Sequence, residues 1–190
     1  MKLLRSLAIP ILVIAGAIPL QAFDFNRTEW GMKMEEVRGS TDEELLFYEG
    51  RGFSVLGTDI AEVFGRPCIT LYFFSHKGNL VKGGYFFRPG YPDPVMYESD
   101  FDRLAYYLSE IYGEKTSRFM WHTTWYYEPR DYMKAVKNGH LTMMYVWETE
   151  TTFIELTLSG ETSGLSLTVQ FFSKALYGEY VEMLLERAVD

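Results

Sequence analysis

The alternation of apolar and polar positions is clearest in the last third of the chain. Leu141, Met143, Tyr145 and Trp147 fall on one side of a first strand, and Ile154, Leu156 and Leu158 on one side of a second. Leu165, Leu167, Val169 and Phe171 do the same in a third. A period of two places each set on one face of a sheet, with Thr, Ser and Glu on the other. Glu150 falls in the first turn and Gly160 to Gly164 form the second. Earlier, Leu45–Tyr48 and Phe53–Ile60 read as short strands, the second interrupted by Gly57. Ile69–Phe74 and Leu80–Phe87 pair as a hairpin around Ser75-His76-Lys77-Gly78-Asn79, whose glycine and asparagine accept positive φ.

The helical period appears four times. A short helix is expected around Met34–Val37. A long one has Ser99 as its N-cap, Phe101, Leu104, Ala105, Leu108, Ile111 and Tyr112 on its apolar stripe, and Gly113 as its C-cap. Arg130–Lys137 reads as a third, after an extended Arg118–Tyr127. A terminal helix carries Leu176, Tyr177, Tyr180, Val181, Leu184 and Leu185 on one side. Arg88–Val95 holds three prolines and reads as an extended connector. The expected fold class is α+β: antiparallel sheet covered by helices on one face, with two helix-then-sheet repeats. A lipocalin-like barrel competes, and the long helix in mid-chain argues against it.

The first 22 residues stand apart. Lys2 and Arg5 form a basic head, Leu7–Leu20 an apolar run, and Ala22 a small residue before Phe23. This reads as a secretory signal peptide (1–22), too short and lightly flanked to stay in a membrane. The remaining 23–190 are expected as one α+β domain, with candidate lobes 23–91 and 97–190 joined by the proline-rich connector. No stable membrane insertion is expected after cleavage. The position after the cut is Phe23, not Cys, so no lipid anchor is expected and the location is periplasmic or secreted. Cleavage removes two of the 18 basic side chains and none of the 26 acidic ones, taking the net charge from −8 to −10. With no basic stripe, nucleic-acid binding is not expected. Cys68 is the only cysteine; set among Pro67, Ile69 and Leu71 it reads as a small core residue.

Phe25-Asn26-Arg27-Thr28-Glu29-Trp30-Gly31-Met32, followed by Glu36-Val37, resembles the opening of uncharacterised exported bacterial proteins in which a Trp-Gly-Met turn leads into a short helix. Lys33 departs from the pattern, which has Ser or Thr there to cap the helix. More remotely, the helix-then-sheet plan resembles SmpA/OmlA-like and β-lactamase-inhibitor-protein-like envelope modules. That resemblance implies a fold used for protein contacts and a Gram-negative periplasm, and carries no catalytic residues across. It also marks Trp30, Met32 and Gly113 as structural positions.

Catalytic chemistry finds little to stand on. His76, His122 and His140 have no metal-pair spacing, and a site assembled from His122, His140 and Glu148 would need distant strands to converge. Gly160-Glu161-Thr162-Ser163-Gly164 lacks nucleophile-elbow spacing, and Gly50-Arg51-Gly52 lacks a third glycine. No catalytic residue, metal or cofactor is assigned. The leading expectation is a non-enzymatic exported module binding an envelope protein or peptide, through an exposed sheet face or edge. The alternative is a small-ligand or glycan-binding protein using Trp121, Trp125 and Tyr127, whose rings would share one strand face.

Overall fold

In the computed structural model, which describes residues 24–50, 53–87, 90–122, 132–162 and 164–188, eight antiparallel strands form one sheet. The signal segment, Trp125 and Tyr127 lie outside the described residues. In chain order the elements are α1 (Met34–Gly39), β1 (Leu46–Gly50), β2 (Phe53–Val63), β3 (Arg66–Phe74), β4 (Leu80–Phe87) and α2 (Pro94–Tyr112). They continue with β5 (Thr116–Trp121), α3 (Tyr132–Lys137), β6 (Leu141–Glu148), β7 (Thr152–Glu161), β8 (Gly164–Ser173) and α4 (Tyr177–Ala188). The sheet runs β1-β2-β3-β4-β8-β7-β6-β5. The halves mirror each other about the central β4–β8 pair, which joins them through six residue pairs from Lys82↔Phe172 to Phe87↔Leu167.

The registers align the apolar positions in rows across the strands. Tyr72, Gly83, Phe171, Ile154 and Trp147 form one row, and Thr70, Tyr85, Val169, Leu156 and Tyr145 the next. Cys68, Phe87, Leu167, Leu158 and Met143 form a third. These rows face α2 and α3 and make the core, Cys68 included, with most side chains buried. Burial pushes the Cys68 thiol up to about 11, which leaves it protonated and inert at neutral pH.

Helix α2 begins five residues before the expected Ser99. Asp93 is its N-cap, Oδ1 accepting from the Val95 N–H at 3.0 Å, and Pro94 opens the first turn. Proline there sacrifices no intrahelical bond, so the last proline of the connector starts the helix instead of prolonging the extended segment. Tyr97, Phe101, Leu104, Ala105 and Leu108 make the buried stripe, and Phe101 stacks on Tyr145 with centroids 4.8 Å apart. Gly113 does cap the helix, at φ +85°. Its carbonyl accepts from Trp147 Nε1 at 3.2 Å, fastening the helix end to β6.

Helix α3 comes closer still: a Cβ on Gly160 of β7 would stand 2.1 Å from the Val136 carbonyl oxygen. Only glycine lets helix backbone rest directly on the strand. Gly160 is therefore a ladder residue paired with Leu165, and the β7–β8 turn is narrower than the Gly160–Gly164 expected.

The Trp-Gly-Met turn is pinned to the start of β4: the Gly31 N–H donates to the Leu80 carbonyl and the Leu80 N–H to the Met32 carbonyl, both at 2.9 Å. Trp30, half-buried, donates through Nε1 to Thr152 Oγ1 at 2.9 Å on β7. Trp30→Ala is expected to cost about 2 kcal/mol, below the cost of a fully buried tryptophan because part of the ring is already in water. A urea titration measures it. Lys33 gives no side-chain cap to α1, but Glu36 Oε2 accepts from its N–H at 2.6 Å. Its Nζ reaches Lys77 O and Asn79 Oδ1 at 2.9 and 2.6 Å, tying α1 to the β3–β4 turn.

The last helix does not join α2 and α3. It lies across one end of the opposite face, where Tyr180 meets Phe172 (5.2 Å) and Tyr177 meets Phe153 (6.1 Å). Met183 is buried, while Val181 and Leu185 of the expected stripe are exposed.

Candidate functional site

Opposite the core, the same registers align a second set of rows. Phe73, Lys82, Phe172 and Phe153 form the row beneath α4. Beyond the helix come Leu71, Gly84, Gln170, Glu155 and Val146, then Ile69, Phe86, Thr168, Thr157 and Met144. With α4 covering only one end, these rows form an open trough of about 460 Å³. Ile69, Leu71 and Phe86 make its apolar side. Thr157, Thr168 and Gln170 make its polar side, with Ser159, Ser166 and Glu161 toward the β7–β8 turn. Gln170 Nε2 donates to Thr168 Oγ1 at 3.1 Å, which orients its amide.

Glu155 stands on the same face. Burial raises its carboxyl above the ordinary value, and the charges of Lys82 and Arg118 pull it back. An acid held this way can accept a proton or meet a cationic group on an incoming molecule.

Lys82 is the other unusual group. It stands mid-sheet on β4 and is 8% exposed. Its ammonium lies 5.0, 4.9 and 5.0 Å from the ring centroids of Phe73, Phe172 and Tyr180, and donates to Tyr180 Oη at 3.2 Å. Burial lowers its pKa to about 8, and the charge of Glu155 opposes that drop. The rings supply quadrupole attraction but cannot replace the lost hydration. Beside it, Phe53, Phe73, Tyr180, Met183 and Leu184 enclose a smaller cavity of about 80 Å³.

Helix α4 is held over this end by Glu179. Its carboxylate accepts from Ser75 Oγ at 2.6 Å, Lys77 Nζ at 3.1 Å and Asn79 Nδ2 at 3.2 Å. Those bonds hold its pKa below the ordinary value, the Ser75 bond contributing most. Two turns on, Glu186 Oε2 meets His76 Nε2 at 2.6 Å.

The residues singled out from sequence fall elsewhere. Trp121 is 41% exposed, but at the β5 end of the core-side face, where its ring meets Tyr132 of α3 at 6.0 Å. The trough is on the other face. His122 and His140 are brought together, the His122 N–H donating to the His140 carbonyl at 2.8 Å. Glu148 is not: it ends the eight-residue strand β6 that His140 precedes, about 25 Å of extended chain away. His122 Nε2 pairs with Thr142 Oγ1 at 2.9 Å. Among the described residues no three His, Cys, Asp or Glu side chains could hold a metal ion. Nor is any described helix long and apolar enough to cross a membrane.

Sequence reasoning passed over Lys82 and the trough. Lys82 carried a signal, being a charge inside Leu80-Val81-Lys82-Gly83-Gly84-Tyr85-Phe86-Phe87, where a strand buried on both faces leaves a lysine little access to water. The Thr, Ser and Gln of the trough carried none. No family model, no curated protein and no solved structure matches this chain.

Proposed function

We propose that the chain is a non-enzymatic exported module whose open sheet face receives an extended segment of an envelope protein or peptide. The observation that supports this reading is the trough itself. It is amphipathic across its width, apolar on β3 and β4 and mainly polar on β7 and β8, where Leu165 is the apolar exception. An extended segment suits it, since alternate side chains of such a segment point to opposite sides. Glu155 and Glu161 on this face, with the acidic balance of the whole chain, favour a segment carrying basic and apolar residues over an acidic one. Export rests on the basic head and apolar run of the first 22 residues.

Fluorescence anisotropy in about 0.15 M salt, where long-range charge attraction is screened, tests the reading. The probes are nonapeptides alternating Lys and Leu, nonapeptides alternating Glu and Leu, and maltooligosaccharides. The Lys-Leu peptides are expected to bind saturably. Ser159→Trp, which fills the trough without altering charge, is expected to weaken them at least tenfold at unchanged melting temperature. Binding that survives Ser159→Trp, or that prefers the saccharides, overturns the proposal.

A further inference from the structure

We propose that Lys82 is a ligand-binding amine that takes short apolar aldehydes in reversible imine linkage, with the cavity between β4 and α4 as their pocket. The proposal stands on the geometry beneath α4 and is independent of what the trough binds. The amine borders the cavity, and the other walls are the rings of Phe53, Phe73 and Tyr180 and the side chains of Met183 and Leu184. At about 80 Å³ the space admits a short carbon chain. Apart from the amine and the Tyr180 hydroxyl its lining is apolar, which favours an uncharged carbonyl compound over an anion.

The groups facing the amine fit addition chemistry. Tyr180 Oη, from α4, is 3.2 Å away. Glu155, from β7, is the carboxylate whose charge acts on it, and Arg118, from β5, in turn acts on Glu155. The nitrogen lone pair of neutral Lys82 adds to the carbonyl carbon, and the carbonyl π pair moves to oxygen. A proton moves from nitrogen to that oxygen, giving the carbinolamine, with Tyr180 placed to relay it. The hydroxyl then leaves as water, taking the second amine proton, and the C=N bond forms. One water is released and nothing is oxidised or reduced.

The step needs the uncharged amine. With a pKa near 8, roughly one molecule in ten holds it at pH 7, against about one in three thousand for an ordinary lysine. An ammonium packed against three rings is otherwise only a poorly hydrated charge; the adjoining cavity lets a ligand reach it.

The test uses the native protein. Propanal is added at pH 7 with cyanoborohydride, which reduces an imine to a stable propylamine, and the sites are mapped by peptide mass spectrometry. Lys82 is expected to be modified at least tenfold faster than exposed Lys33, Lys77 and Lys137. Tyr180→Phe is expected to slow modification at Lys82 and leave those three unchanged. Modification spread over the exposed lysines, with Lys82 spared or merely equal to them, overturns the proposal. So does preferential modification of Lys82 that Tyr180→Phe does not slow, because the relay would then play no part.

Discussion

Asp100→Ala is expected to lose about 3 kcal/mol of stability, the low end for removing one partner of a buried ion pair, because the Arg66 side chain is 28% exposed and keeps some water. Asp100 sits in the second turn of α2 and is 4% exposed. Its Oδ1 accepts from Arg66 Nε at 2.9 Å and Nη2 at 2.6 Å, and its Oδ2 from Tyr91 Oη at 2.7 Å. The carboxylate thus joins the start of β3, the connector and the long helix. Without it the guanidinium and the phenol lose a charged acceptor at once, and α2 loses its ion pair to β3. Asn at this position keeps an acceptor without the charge and should fall between wild type and Ala. Arg66→Ala should cost nearly as much, since it leaves the buried carboxylate with Tyr91 alone. The double variant should then lose less than the two single losses combined, because neither residue has a partner left to strand. Urea melts of the four proteins measure the coupling; simple additivity would mean that the pair contributes nothing as a pair.

That network shows where the sequence is legible and where it is not. The strands around β3, β4, β7 and β8 are legible because every second residue must be apolar to meet the helices, and the hairpin ends carry turn residues. The body of α2 is legible for the same reason at the helical period. Its start is not, because Pro94 reads equally as the end of an extended segment or the first residue of a helix. What decides is the Asp93 side chain closing on Val95, a local hydrogen bond that composition does not reveal. The Arg66–Asp100 pair spans 34 residues, so no local pattern announces it.

The candidate site was harder to see, for a different reason. Thr157, Ser159, Ser166, Thr168 and Gln170 are the polar half of alternating strands, and such positions look the same over a trough or open to bulk water. Where α4 lands decides that, and its apolar stripe does not say which face of the sheet it will cover. Tyr180 of that stripe and Met183 outside it turn inward, while Val181 and Leu185 of the stripe stay exposed. Ring-rich Trp121 drew attention because aromatics advertise binding, yet it packs near α3 at the sheet's far edge. The lysine inside an apolar strand was the more informative residue.

Lys82→Met is expected to raise stability by about 3 kcal/mol at pH 7, and the direction follows from proton linkage. Burial lowers the pKa of Lys82 from 10.5 to about 8 in the folded protein. Below pH 8 both folded and unfolded chains carry the proton, so the folded state bears the whole cost of an ill-hydrated ammonium. Between about 8 and 10.5 the unfolded chain binds more protons than the folded one, and wild-type stability from this group rises with pH. Above 10.5 both states are neutral and the cost is gone. The drop from 10.5 to about 8 corresponds to about 3 kcal/mol. Methionine has similar length and no charge, so it removes that cost without opening a cavity. The difference between variant and wild type should therefore shrink through pH 8 to 10.5 and approach zero beyond. The tyrosines whose pKa values burial raises, Tyr72 among them at about 12, titrate alike in both proteins and cancel in that difference. A gain that does not depend on pH would mean that methionine merely packs better than lysine. No gain at all would mean that water reaches the ammonium, which would also remove the reason for its reactivity. A stabilising substitution at the amine seated among three rings would place an electrostatic cost beside a cavity, where a bound aldehyde could relieve it by taking up the neutral form.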